Sequence, residues 1–190
     1  MNEGIFPGFS AGRPVELYLP EIIHEETLQA NGAFDIRDIP CIYDRFEIEC
    51  RLRSSVSATI DVAFIFFNGD ITVANYAHER FGATDSGISG ARADTPQFAE
   101  ATGSTSPADS FQSGVIHISG PKDNKNKTAL TYGGNRRTST SGRIDGSLVE
   151  WENTAPITRI QIRTDNHPTD LFVKGSMVRL IGWRRFRLQP

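Results

Sequence analysis

One stretch, Ala58 to Phe67 (ATIDVAFIFF), constrains the fold more than any other. On an extended chain Ile60, Val62, Phe64 and Phe66 fall on one face, and Ala63, Ile65 and Phe67 on the other. A run apolar on both faces, rich in β-branched and aromatic residues, predicts a central strand covered on both sides. It stops at Asn68-Gly69-Asp70, where Asn-Gly tolerates positive φ and predicts a turn.

The neighbouring segments follow the same logic. Asp44 to Arg53 (DRFEIECRLR) alternates: Phe46, Ile48, Cys50 and Leu52 point inward, and charged residues point to solvent. Ile22–Leu28, Ala33–Ile36, Phe111–Ser119, Thr128–Tyr132, Leu148–Trp151, Ile157–Arg163 and Met177–Trp183 read as further strands. Gly133-Gly134 is read as a break before a polar loop, and Lys122, Lys125 and Lys127 as a solvated turn. Residues 82–110 are small, polar and nearly aperiodic, with Phe98 as the single aromatic side chain, and predict a long loop with room for a short strand around Gln97-Phe98-Ala99. Roughly eight to ten short strands and no helical period predict an all-β protein, an antiparallel β-sandwich of jelly-roll type.

Composition bounds this further. At 190 residues the chain suits one domain with a real core. A net charge of −3 and a pI near 5.8 argue against a general nucleic-acid binder. No apolar run approaches the roughly 18 residues of a membrane span, and the first residues lack the pattern of a secretory leader. The two cysteines, Cys41 and Cys50, are not a disulfide framework. Cys50 alternates in phase with the core positions and reads as a buried thiol; a Cys41–Cys50 bridge is the alternative.

Residues 1–20 are apolar but aperiodic, with prolines at 7, 14 and 20. They predict an extended N-terminal arm in front of a domain spanning 21–190. Left in water, Ile5, Phe6, Phe9, Leu17, Tyr18 and Leu19 would forgo their burial energy, so the arm is expected to dock on a partner.

Chemistry is hard to find. His24, His78, His117 and His167 lie far apart without metal-ligand spacing. There is no G-x-S-x-G, no P-loop and no dinucleotide fingerprint. Neither catalytic residues nor a cofactor or metal are expected.

Three segments do resemble a known family. Phe67-Asn68-Gly69-Asp70, then Asn75-Tyr76 and His78, is similar to a pattern of tailed-bacteriophage structural proteins: a strand ending FNGD, then NY, then an aromatic residue or histidine. Trp151 to Ile160 (WENTAPITRI) resembles that family's tryptophan, small polar residues and I-T-x-I. Gly175 to Gly182 is similar to its closing GS, apolar strand and YG, with Ile181 in place of the usual tyrosine. Together they bracket roughly Glu21 to Trp183. The resemblance implies a β-sandwich virion component without enzymatic activity, and does not say whether it sits on head, connector or tail.

The same residues have a physical reading. Asn68-Gly69 sets a turn, Asn75 bonds loop backbone, and Tyr76 covers a sheet edge with its hydroxyl in water. Trp151 plugs one end of the sandwich, and Gly175 permits a tight entry into the last strand. The expectation is therefore a phage structural protein, a capsid decoration (cement) protein assembled into virions in the host cytoplasm. It would pack on other virion proteins and on itself as a homo-oligomer, a trimer, without membrane or direct nucleic-acid contact. The alternative is a glycan- or receptor-binding module of a tail or fibre, with 82–110 as its binding face.

Overall fold

The alternation of Phe46, Ile48, Cys50 and Leu52 is realised in a computed structural model that describes residues 15–84 and 86–188. Among the described residues twelve strands follow one another: β1 (Val15–Thr27), β2 (Phe34–Ile36), β3 (Arg45–Leu52), β4 (Ile60–Phe67), β5 (Tyr76–Thr84), β6 (Gly87–Ala93), β7 (Gln97–Thr102), β8 (Gln112–Ser119), β9 (Lys127–Arg136), β10 (Gly142–Trp151), β11 (Ile160–Thr164) and β12 (Met177–Leu188). They form two antiparallel sheets. The larger is ordered β1-β12-β3-β8-β9-β10-β5-β6 and the smaller β2-β11-β4-β7.

Setting aside the β5–β6 and β9–β10 hairpins leaves two four-stranded sheets, β1-β12-β3-β8 and β2-β11-β4-β7. The chain crosses between them at nearly every connection, which is the strand order of a jelly roll. The hairpins are insertions between β4 and β7 and between β8 and β11. They pair with each other through β5 and β10 and extend the larger sheet beyond β8 as a four-stranded wing. Between the sheets Ile48, Leu52, Ile116, Ile118 and Leu180 face Ile65, Phe67, Ile160, Ile162 and Phe34, all at most 1% exposed. Each such side chain contributes about 1.5–3 kcal/mol on leaving water.

β4 lies inside the smaller sheet, between β11 and β7, but is not equally covered on both faces. Asp61, Ala63, Ile65 and Phe67 point into the core; Ile60, Val62 and Phe64 are only half-buried. Phe66 is shielded on that outer face by the Tyr76 ring, edge-on at 5.8 Å, and by the Arg163 guanidinium 4.4 Å from its centroid.

Three expectations are corrected. The boundary expected at residue 20 falls inside β1, which begins at Val15, so Leu17, Tyr18 and Leu19 are strand residues paired with Phe186, Arg185 and Arg184. An edge strand tolerates Pro20, because one side of its backbone needs no partner. Ile5, Phe6 and Phe9 lie outside the described residues. The loop expected over 82–110 is instead in large part the end of β5 and all of β6, and the short strand allowed for around Gln97-Phe98-Ala99 is present as β7. β6 (GISGARA) carries a single large apolar side chain, so its pairing with β5, not its own pattern, makes it a strand. Finally, β9 runs straight through Gly133-Gly134. Gly133 pairs with Gly114 of β8, and a Cβ on either would come 2.9 Å from a backbone oxygen of the facing strand. The glycines let β8 and β9 approach; they do not end the strand.

Candidate interaction surface

The turn after β4 gathers all the motif residues singled out by sequence except Gly175. Asn68 (φ 52°) and Gly69 (φ 75°) both take the left-handed conformation, and Asp70 N–H donates to Phe67 C=O across them at 2.9 Å. Asn68 Oδ1 accepts from the Thr158 and Arg159 amides at 2.8 and 3.1 Å, and its Nδ2 donates to Pro156 C=O at 2.8 Å. The Asp70 carboxylate accepts from Trp151 Nε1 and Asn75 Nδ2, both at 2.9 Å, and from Thr72 N–H at 3.1 Å. Burial acts to raise its pKa, but these donors outweigh that and hold the carboxyl below its ordinary value.

Tyr76 is not wet at its hydroxyl. It is 1% exposed, donates to Asp70 C=O at 2.9 Å and accepts from Phe67 N–H at 3.0 Å, and burial pushes its pKa up. Asn75 reaches a carboxylate rather than loop backbone. Trp151 stacks on Tyr76 (6.5 Å, 20°) and leans on Phe67 (5.6 Å). Next to the corner, Arg159 donates twice to Asp35, at 2.7 and 2.8 Å, which lowers the Asp35 pKa to about 2. These polar groups hold one another, so the corner is a lock joining β4, β5, β10 and the approach to β11. Gly175 (φ 90°) belongs to a different turn, before β12, where its N–H donates to Leu28 C=O.

A second cluster escaped the sequence. Glu100 of β7 is buried beneath Arg80 of β5 (2.7 Å), Arg137 of the β9–β10 turn (2.5 Å) and Arg143 of β10 (3.6 Å). Asp145 lies 3.3 Å from Arg143. Burial, and then the charge of Glu100, push the Asp145 pKa up to about 6 against the pull of the arginines. Beside this cluster Ser147 Oγ donates to Phe98 C=O at 2.7 Å and Asn135 Nδ2 to Glu100 C=O at 3.0 Å. The wing thus folds its inner face over the outer edge of β7 and satisfies that edge with side chains. The void at this junction is about 10 Å³, room for one water at most. These residues are scattered over more than sixty positions of polar sequence, and no spacing announces them.

Other expectations sort as follows. Phe98 is 1% exposed and offers no platform to a sugar. An open cleft of about 700 Å³ lies among Phe111, Arg136, Ser139–Ser141 and Ile144, but the Arg136 guanidinium is held by the Thr138 and Ser139 carbonyls. Lys127 is not solvated: its ammonium is buried and donates to the Asp123, Lys125 and Thr154 carbonyls. His117 sits on an outer face, 3.5 Å from Glu47. Cys41 is exposed and Cys50 buried, and both are free. Among the described residues no group of three or more His, Cys, Asp or Glu is placed to hold a metal ion.

What remains open is apolar. The wing's outer face carries two rows in register, Val115-Tyr132-Gly146-Phe81-Gly90 and Gly134-Ile144-Ala83-Ile88. Leu130 and Leu148 flank them in a third. Ile88 is 85% exposed, Ile144 74%, Phe81 56% and Tyr132 51%. These side chains lie uncovered on the outer face of a domain whose core is complete. At the opposite edge of the sheet, pairing of β12 with β3 ends at Trp183–Arg45, while pairing with β1 continues to Leu188–Val15. Residues 15–19 and 184–188 therefore form a two-stranded ribbon. Leu17, Leu19 and Phe186 share one face of it with Arg184, whose guanidinium lies 5.1 Å from the Phe186 ring.

No family model matches the sequence, and no curated protein or solved structure matches it.

Proposed function

We propose that the protein is a non-enzymatic structural component of a tailed-phage virion, a capsid decoration protein that works by packing on its neighbours and on further copies of itself. The observation that supports this reading is the apolar outer face of the wing, with Ile88, Ile144, Phe81 and Tyr132 in register on a sheet whose opposite face already closes the domain. A jelly roll with a finished core and a second, uncovered apolar face suits a part that is completed by assembly. The FNGD–NY–Trp corner fits the same role: every residue the resemblance picks out there serves rigidity. An oligomer, with a trimer as the expected state, is the natural way to cover the face.

Antibody labelling of intact particles of the phage encoding this chain tests the reading. Labels distributed over the head are expected. Labels confined to the tail tip would replace decoration with the receptor-binding alternative, and absence of the chain from purified particles by mass spectrometry would end the virion reading.

A further inference from the structure

We propose that the β1–β12 ribbon of one copy docks on the outer face of the wing of the next, so that the chain assembles head to tail. The proposal deepens the assembly reading by naming the partner: a second copy of this chain.

The ribbon needs cover. Beyond Trp183 its two strands pair with each other and, among the described residues, with no third strand, and the Asp44 carboxylate that accepts Arg185 N–H at 2.8 Å ties the ribbon to the domain there. Two-stranded ribbons are marginal in water unless a face is packed. Here Leu17, Leu19 and Phe186 offer that face, with Leu19 52% exposed. The wing needs the reverse: something apolar, narrow and stiff to lie across its Tyr132, Phe81 and Ile144 rows.

The two surfaces cannot meet within one molecule. β1 and β6 are the opposite edges of one eight-stranded sheet, and β3, β8, β9 and β10 stand between β12 and β5. At about 4.8 Å per strand this separation is on the order of 20 Å or more. Between copies the contact is direct. Charge agrees with the apolar fit at one point: Arg184 travels with the ribbon's apolar face and Glu150 borders the apolar rows of the wing, whereas Glu79 there already lies 3.8 Å from Arg92. Different patches meet, so the contact is heterologous: it closes into a ring or continues as a filament, and each copy offers one ribbon and one wing.

This valency gives the test. Leu17→Glu with Leu19→Glu spoils the ribbon, and Ile88→Glu with Ile144→Glu spoils the wing; all four positions are exposed, so both variants should keep the wild-type circular dichroism and thermal midpoint. Light scattering should show wild type as an oligomer and each variant alone as a monomer, with self-association weakened by about a hundredfold or more. Mixed in equal amounts, the two variants should form one-to-one dimers, since the ribbon variant keeps a good wing and the wing variant a good ribbon. Wild type that stays monomeric at the highest attainable concentration, a variant that keeps the oligomer, or a mixture that stays monomeric would each overturn the proposal. A head-to-tail oligomer absent from purified particles would instead overturn the virion reading alone.

Discussion

The indole N–H of Trp151 donates to the carboxylate of Asp70, 81 positions earlier in the chain, at 2.9 Å. That bond ties the last residue of β10 to the turn that ends β4, and the side chains of Asn75 and Asn68 reinforce it on either side. Asp70→Ala should leave Trp151 Nε1 and Asn75 Nδ2 without this acceptor and cost about 2–3 kcal/mol. Asp70→Asn, which can still accept from the indole, should cost less. Urea denaturation followed by tryptophan fluorescence reads both values; a loss under about 0.5 kcal/mol for the alanine variant would mean that the corner is not a lock.

Asp145 gives a pH dependence opposite to that of most carboxylates. Burial and the charge of Glu100 raise it from 3.8 to about 6. The native state therefore holds this proton more tightly than the unfolded chain does. Its contribution to stability is complete below about pH 3.8 and is lost as pH rises through about 6. Asp145→Asn, neutral throughout, should be more stable than wild type by about 1–3 kcal/mol above pH 7 and nearly equal to it at pH 4. Thermal midpoints of both proteins across this range decide the matter; a variant less stable at pH 8 would show that the Arg143 pairing dominates.

Asp35 behaves in the ordinary direction. The Arg159 bond, working against burial and joined by Arg37, lowers its pKa to about 2. The stability it supplies is present above about pH 3.8 and is lost as pH falls through about 2. Asp35→Asn should cost about 1–2 kcal/mol at pH 7, discounted for partial exposure, and the gap between variant and wild type should close in acid. Guanidinium titrations at pH 7 and pH 2 measure it, and a gap of the same size at both would argue against the ion pair as its source.

Closure of the β7 edge is testable at one atom. Ser147→Ala removes the donor to Phe98 C=O within a buried junction and should cost about 1–3 kcal/mol. Hydrogen exchange should quicken in β7 and β10 before it does in β3. Unchanged exchange there would mean that β7 is held by β4 alone.

The thiols should differ sharply. Burial pushes the Cys50 thiol up to about 12, while Cys41 is exposed. Iodoacetamide at pH 8 should add once to the native protein and twice after unfolding. No addition in either state would indicate a Cys41–Cys50 bridge.

The strands that sequence reveals are those whose own side chains divide in two. Phe46, Ile48, Cys50 and Leu52 alternate with charges, so β3 was readable to within a residue. The same holds for the turn at Asn68-Gly69, where the residue type itself prescribes the backbone. β6 was not readable, because Gly87, Gly90, Ala91 and Ala93 contribute pairing without pattern. Gly133-Gly134 reads as a break in one dimension, and only the facing Gly114 reveals a close approach. Glu100, Arg80, Arg137 and Arg143 become a cluster solely through the wing's fold over β7. The corner was legible as a list of residues but not as a network: Tyr76 was expected at a wet edge, and the hydroxyl instead bridges two backbone groups.

The position of β12 also dictates an order of events during synthesis. It lies between β1 and β3, so β1 has no neighbour in the sheet until the twelfth strand has been made. A nascent chain can pair β3 with β8 and β4 with β7 while still on the ribosome, yet the slot between β1 and β3 stays empty. Closure of the larger sheet, and with it the ribbon that β1 and β12 form, must therefore follow translation of Met177–Leu188.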